Sequence, residues 1–196
     1  MSIDIKSIKR LKNLTGVGLT DAKIALEQAK GNFDLALKEM RKKGLTKADK
    51  RSEKEARQGL IGSYNHDNRI GVIVEVNCET DFVARNELFI NLVKDIAMHI
   101  AATNPNYLSP NDIDQPTLNN LKDEFRAKNN DKPSNVVDKI IEGQLKKYYQ
   151  EKCLLKQSFI KNPDQTIEQL VKEHIAKLGE NIIIRRFHRL ALGEIN

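Results

Sequence analysis

"RIGVIVEVNCETDFVARN", residues 69–86, decides how the rest of the chain is read. Ile70, Val72, Val74, Val76 and Cys78 alternate with Gly71, Ile73, Glu75 and Asn77. This period of two predicts a strand with one core face and one partly wet face. The alternation stops at Glu79, and an acid-aromatic pair, Asp81–Phe82, stands at the strand's exit before a helical pattern begins. By residue type alone, Asp81 would cap that helix and Phe82 would pack in the core.

Upstream, "GLIGSY" (59–64) is a second strand candidate, joined to the first through the turn-rich "NHDN", so the two predict a β-hairpin. Downstream, Phe89, Leu92, Val93, Ile96 and Ile100 share one face of a helix over 87–102. Leu118, Leu121 and Phe125, then Val137, Ile140, Ile141, Leu145 and Tyr148, predict helices over 117–128 and 135–152, a helical hairpin across "NNDKPSN" (129–135). "TIEQ", Thr166–Gln169, is a capping box opening a helix that ends at Gly179. "NIIIRRFHRLAL" (181–192) predicts a third strand, although its alternation is uneven. The fold class expected is α+β: a three-stranded antiparallel sheet covered by helices.

The first fifty residues predict three short helices. Ile5, Ile8, Leu11 and Leu14 mark the first, which breaks at "TGVG" (15–18). Thr20 is read as the cap of the second, with Ala22, Ala25, Leu26 and Ala29 as its stripe. Asn32 caps the third, whose stripe is Phe33, Ala36, Leu37 and Met40, and Gly44 stands where a C-terminal glycine ends a helix. Residues 45–58 nearly lack large apolar side chains and read as an exposed helix or linker. The expected organisation is a three-helix domain over 1–50, a charged linker over 51–58 and an α+β core over 59–196.

The net charge of +6 is unevenly placed: residues 1–57 hold 15 Lys and Arg against 8 Asp and Glu, whereas 58–196 hold 18 against 19. An acidic partner is therefore steered to the N-terminal part. That part lacks interleaved aromatics, its one Phe33 lying on the apolar stripe, so specific reading of nucleic acid is not expected. No stretch has the length of a membrane span, the charged start "MSIDIKSIKR" lacks a signal-peptide apolar region, and a cytoplasmic protein is expected. Cys78 and Cys153, far apart and outside any CxxC pattern, are expected as free thiols. His66, His99, His174 and His188 have no metal-ligand spacing, and no phosphate loop or nucleophile elbow is present. His99 reads as a satisfied helix histidine. The expectation is a binding protein without catalytic residues, metal or cofactor.

Several stretches together carry a resemblance: "LKNLTGVGLTDAKIAL" (11–26), "KGNFDLALKEMRKKG" (30–44), "IGVIVEVNCETDFVARN" (70–86), "IAMHIAATNPNYLSP" (96–110), "KIIEGQLKKYY" (139–149), "LLKQSFI" (154–160) and "GENIIIRRF" (179–187). In this order they resemble the bacterial elongation factor Ts family, guanine-nucleotide exchange factors of elongation factor Tu. The resemblance implies a ubiquitin-associated-like N-terminal domain and a role for Thr80, Asp81, Phe82 and Val83 as the exchange element. There the aromatic wedges beside the nucleotide pocket and disturbs the magnesium and phosphate contacts, so that GDP leaves and GTP enters. It also implies that Lys12, Leu19 and Thr20 lie on the partner-binding face of the N-terminal domain, where Arg and a Met pair are common in the family. Gln144 and Ser158 depart from the family pattern too. A single-core chain of this length resembles the short form that pairs two copies, so a homodimer is implied. The competing expectation is a basic RNA- or ribosome-associated module without exchange activity.

Overall fold

The hairpin forms as its alternation requires. A computed structural model describes residues 3–15, 17–129 and 133–194. Strand β1 (Gln58–His66) pairs antiparallel with β2 (Ile70–Cys78), Gln58 opposite Cys78 and His66 opposite Ile70. Asp67 and Asn68 turn the chain at φ 51° and 55°, left-handed values that Asp and Asn tolerate better than most residues. The third strand, β5 (Ile182–Ala191), pairs antiparallel with the other edge of β2, giving the order β1–β2–β5. Its uneven alternation has a physical cause: the register shifts opposite Glu75 and Val76, which pair with Arg186 and Ile184 and leave Arg185 as the extra residue of a bulge.

One sheet face builds the core. Val72, Val74, Val76, Cys78, Ile182 and Ile184 are buried against helix α5 (Glu87–Thr103) and helix α8 (Ile167–Leu178). Helix α5 contributes Phe89, Leu92, Val93, Ile96 and Ile100; α8 contributes Ile167, Leu170, Val171 and Ile175. The predicted capping box is present, Thr166 accepting from the Gln169 N–H while Gln169 accepts from that of Thr166, and Gly179 ends the helix at φ 74°. Where α5 crosses β1, a methyl group on Gly62 would overlap Val93 Cγ1, so this glycine sets how closely helix and strand approach. A two-stranded ribbon, β3 (Ser158–Phe159) with β4 (Asn162–Thr166), precedes α8. It was not expected from the sequence.

The N-terminal unit consists of α1 (Ile5–Thr15), α2 (Leu19–Gln28) and α3 (Phe33–Arg51) around Ile8, Leu11, Ala22, Ala25, Leu26, Ala36 and Met40. Asn32 caps α3 as predicted, accepting from the Leu35 N–H at 3.0 Å. Two local expectations are corrected. The cap position of α2 is Gly18, so Thr20 lies within the first turn and caps nothing. Gly44 lies inside α3: a Cβ there would stand 3.3 Å from the Ala176 Cβ, and the missing side chain serves close packing on α8. Helix α3 therefore runs on to Arg51, buries Ala48 in the main core and pairs Asp49 with Lys172 at 2.8 Å.

The remaining helices, α6 (Gln115–Ala127) and α7 (Ser134–Lys152), pack Leu118, Leu121 and Phe125 against Val137, Ile141, Leu145 and Tyr149. Ile140 and Tyr148 are half-buried beside this seam. The "TGVG" break, the 129–135 connection and the end of the core expectation include residues 16, 130–132 and 195–196, which lie outside the described residues. The architecture is α+β, with a three-stranded antiparallel sheet and helices.

Candidate partner-binding site

The core face of strand β2 stays buried to its last residue, Cys78, and the chain then leaves the sheet through Glu79 and Thr80. Thr80 is the cap of a single helical turn, α4 (Asp81–Ala84), its hydroxyl accepting from the Val83 N–H at 3.4 Å. Asn86 follows at once as the cap of α5, accepting from the Leu88 N–H at 2.9 Å and donating its own N–H to the Val83 carbonyl at 2.9 Å. Two caps six residues apart fix both ends of the turn.

On a turn of 3.6 residues, Ala84 and Val83 face inward and Asp81 and Phe82 outward. Ala84 is buried, Val83 is half-buried against the main core, and Phe82 is 83% exposed. The reading of Phe82 as core packing is therefore overturned. The reading of Asp81 as a cap is overturned too: Thr80 holds that position, and the Asp81 carboxylate pairs with Arg85 at 3.1 Å on the surface. Such an exposed pair contributes little to stability, so Asp81 remains available to a partner.

Behind the turn is a polar junction. Glu180, just past α8, accepts from the Thr80 N–H at 3.0 Å and from the Thr80 hydroxyl at 2.6 Å. Reciprocally, Glu79 accepts from the Asn181 N–H at 2.6 Å and from the Arg51 guanidinium at 3.1 Å. Asn181 is 2% exposed, and its Nδ2 donates to the Lys54 carbonyl at 2.6 Å and the Ser52 carbonyl at 3.3 Å. The Cys78 thiol donates to the Thr80 carbonyl at 3.1 Å; burial first, then the charge of Glu180, pushes its pKa up to about 11. Both Cys78 and Cys153 are free and buried, and a thiol so shielded is inert. None of Glu79, Glu180, Asn181 and Arg51 was singled out by sequence reasoning. Separations of a hundred residues leave no periodic signal, although the stretches that carry the resemblance include Glu79 in "IGVIVEVNCETDFVARN" and Glu180 and Asn181 in "GENIIIRRF".

Of the other expected residues, Lys12 is exposed in the last turn of α1, and Leu19 and Thr20 are exposed in the first turn of α2. These three sit on the three-helix unit, whereas Thr80–Val83 forms one continuous turn on the core. His99 is fully buried: its Nε2 bonds Gln157 Oε1 at 3.0 Å, and its Nδ1 accepts from the Ile160 N–H at 3.4 Å. Because Nδ1 accepts from the Ile160 N–H, the proton of the neutral ring is on Nε2, which donates to Gln157 Oε1; the Gln157 amide nitrogen donates in turn to the Glu151 carbonyl at 2.8 Å. Burial lowers its pKa further. Among the described residues, no group of three or more His, Cys, Asp or Glu is placed to hold a metal ion, and no helix is long and apolar enough to cross a membrane. A groove of about 720 Å³ between α3, β4 and α8, lined by Leu37, Met40, Gln165 and Gln169 among others, contains none of the expected site residues.

Comparison with known proteins places the chain that carries this turn in a family. The family model described as "Elongation factor TS" matches residues 44–194. The chain is 52% identical to Elongation factor Ts of Syntrophus aciditrophicus, covering 99% of this chain and 98% of that protein. It is 50% identical to that of Geotalea daltonii (99% and 91%) and 49% identical to that of Caldanaerobacter subterraneus subsp. tengcongensis (98% and 98%). The chain belongs to the elongation factor Ts family. Its α+β core and its place among translation elongation factors follow from that membership. In the elongation factor Ts frame, the 44–194 match includes the Thr80–Val83 turn, the Glu79–Asn181 junction and all three strands of the main sheet.

Proposed function

We propose that this protein promotes release of GDP from elongation factor Tu and so allows GTP to bind, acting in the cytoplasm as a binding protein rather than an enzyme and without a cofactor of its own. The observation that carries the reading is Phe82, 83% exposed on a turn whose backbone is fixed at both ends. An apolar ring held in water is unfavourable until a partner covers it. Covering it is worth roughly 1.5–3 kcal/mol. Spent between helices beside the partner's nucleotide pocket, that energy displaces the magnesium and phosphate contacts.

The thermodynamics require no covalent step. If the factor weakens the partner's hold on nucleotide, returning nucleotide must weaken the factor's hold by the same ratio, so complex formation is transient. One decade of coupling takes about 1.4 kcal/mol, so Phe82 accounts for one or two decades and wider contacts supply the rest. Lys12, Leu19 and Thr20, exposed on the basic N-terminal unit, are assigned to those wider contacts, with Asp81 and Val83 orienting the ring.

A second copy of the chain is the other partner. Ile61 (66% exposed), Ile73 (52%) and Leu190 (67%) stand on the sheet face opposite the core, an apolar face that pairing with its equal would cover. Release of mant-GDP from elongation factor Tu tests the exchange function: substoichiometric protein should accelerate release many-fold. An unchanged rate refutes it and leaves the RNA-associated alternative.

A further inference from the structure

A wedge acts only if it cannot fold back, and the angle at which Phe82 leaves the core is set by Thr80, the residue where β2 ends and α4 begins. Within the 79–86 segment the cap is weak by itself: the Val83 N–H reaches the Thr80 hydroxyl at 3.4 Å. What completes it comes from a hundred residues away. Gly179, left-handed at φ 74°, turns the chain out of α8 and presents Glu180 to Thr80. One carboxylate oxygen takes the Thr80 N–H at 3.0 Å and the other takes its hydroxyl proton at 2.6 Å.

The chemistry of this pair is directional. A carboxylate only accepts, so it commits the hydroxyl proton to itself and leaves the oxygen's lone pairs for the Val83 N–H. A glutamine could not do both: its amide nitrogen donates, so one of the two Thr80 donors would face another donor. Asn181, buried beside Glu180 and bonded to the Ser52 and Lys54 carbonyls, keeps the 180–181 loop from drifting.

We propose that Glu180 is the positioning residue of the exchange element, holding Thr80 so that Phe82 projects at a fixed angle. The proposal rests on the exchange function. In this role Glu180 acts through Thr80, whose N–H and hydroxyl it holds.

The test compares wild type, Glu180→Gln, Glu180→Ala and Phe82→Ala in mant-GDP release from elongation factor Tu, with rate followed against protein concentration. Glu180→Ala is expected to lower the saturating release rate roughly ten- to hundredfold, the range that loss of a hydrogen bond to a charged group spans. The half-saturating concentration should move much less, because the remaining contact surfaces are intact. Glu180→Gln should fall between wild type and Glu180→Ala. Hydrogen–deuterium exchange supplies a readout independent of activity: in Glu180→Ala the 79–85 amides should lose protection while the β2 amides keep theirs.

If wild type itself fails to accelerate release, the exchange function is wrong. If wild type is active and Phe82→Ala is impaired, but Glu180→Gln and Glu180→Ala release GDP at the wild-type saturating rate, the positioning role is overturned. It is equally overturned if the variants lose only thermal stability, with 79–85 protection unchanged.

Discussion

Replacing Phe82 by Ala separates a wedge from a core residue, because the two roles predict opposite balances of stability and activity. The side chain is 83% exposed, so the fold obtains about one sixth of the roughly 1.5–3 kcal/mol that complete burial of Phe provides. The loss on truncation is therefore about 0.3–0.5 kcal/mol. In a protein of this size 1 kcal/mol moves Tm by about 2–4 °C, so Phe82→Ala should melt within about 2 °C of wild type. Helix propensity offsets even that, since Ala is the better residue in the α4 turn. If the partner covers the whole ring, as proposed, losing the remainder lowers the GDP-release acceleration about ten- to hundredfold at one decade per 1.4 kcal/mol. Stopped-flow mant-GDP release and a thermal melt on the same preparation give both numbers. A variant that loses 8 °C or more would show Phe82 to be structural, and one that releases GDP at the wild-type rate would show the ring to be idle; either result refutes the reasoning.

The buried histidines give a pH dependence with a definite sign. Burial lowers the pKa of His99 and of His174, so below the ordinary value of 6.5 the unfolded chain takes up protons that the folded chain refuses. Stability is complete above pH 6.5 and is lost as pH falls below it: urea midpoints should drop between pH 7.5 and 5.5, and His99→Gln should shrink that drop; equal midpoints at both pH values would contradict it. Gly62→Ala, which drives a methyl group into Val93, should cost about 1–3 kcal/mol in urea unfolding, and a neutral result would mean that α5 does not press on β1 as described. Ile73→Lys, on the outer sheet face opposite Ser63 and His188, should convert a dimer to monomer in sedimentation at unchanged fold, and an unaltered mass would place the pairing surface elsewhere.

What was legible in the sequence was whatever repeats at a fixed local period. The inward side chains of β2 from Val72 to Cys78, the Phe89–Ile100 stripe of α5 and the Thr166–Gln169 box are complete statements within a few residues. Gly44 was misread because glycine carries two opposed messages: it ends helices, and it lets helices touch. Only Ala176, more than a hundred residues away, decides between them. The β3–β4 ribbon left no signal, because the two residues of β3 are too few to show a period. Phe82 was the hardest case. Its composition says core, and only the family resemblance said surface; the structure shows why surface is possible, since both ends of its turn are capped without help from the ring.

The position of the Glu79–Asn181 junction explains how distant contacts can reach the wedge. Binding energy gathered by the N-terminal unit is useful at the nucleotide pocket only if the connection between them does not yield. Had residues 52–57 been a free chain, six flexible residues would let the two parts wander by about 13 Å. Instead α3 runs as one helix of about 28 Å from the N-terminal unit into the main core. Arg51 at its end bonds Glu79, and Asn181 bonds the Ser52 and Lys54 carbonyls, so the segment after the helix is tied to the same two residue pairs that hold Thr80. Ala56, also buried, fixes the entry to β1. The N-terminal surface bearing Lys12, Leu19 and Thr20 and the turn bearing Phe82 are thereby parts of one lever. Under the proposed function, a partner held at the first would be held in fixed relation to the second.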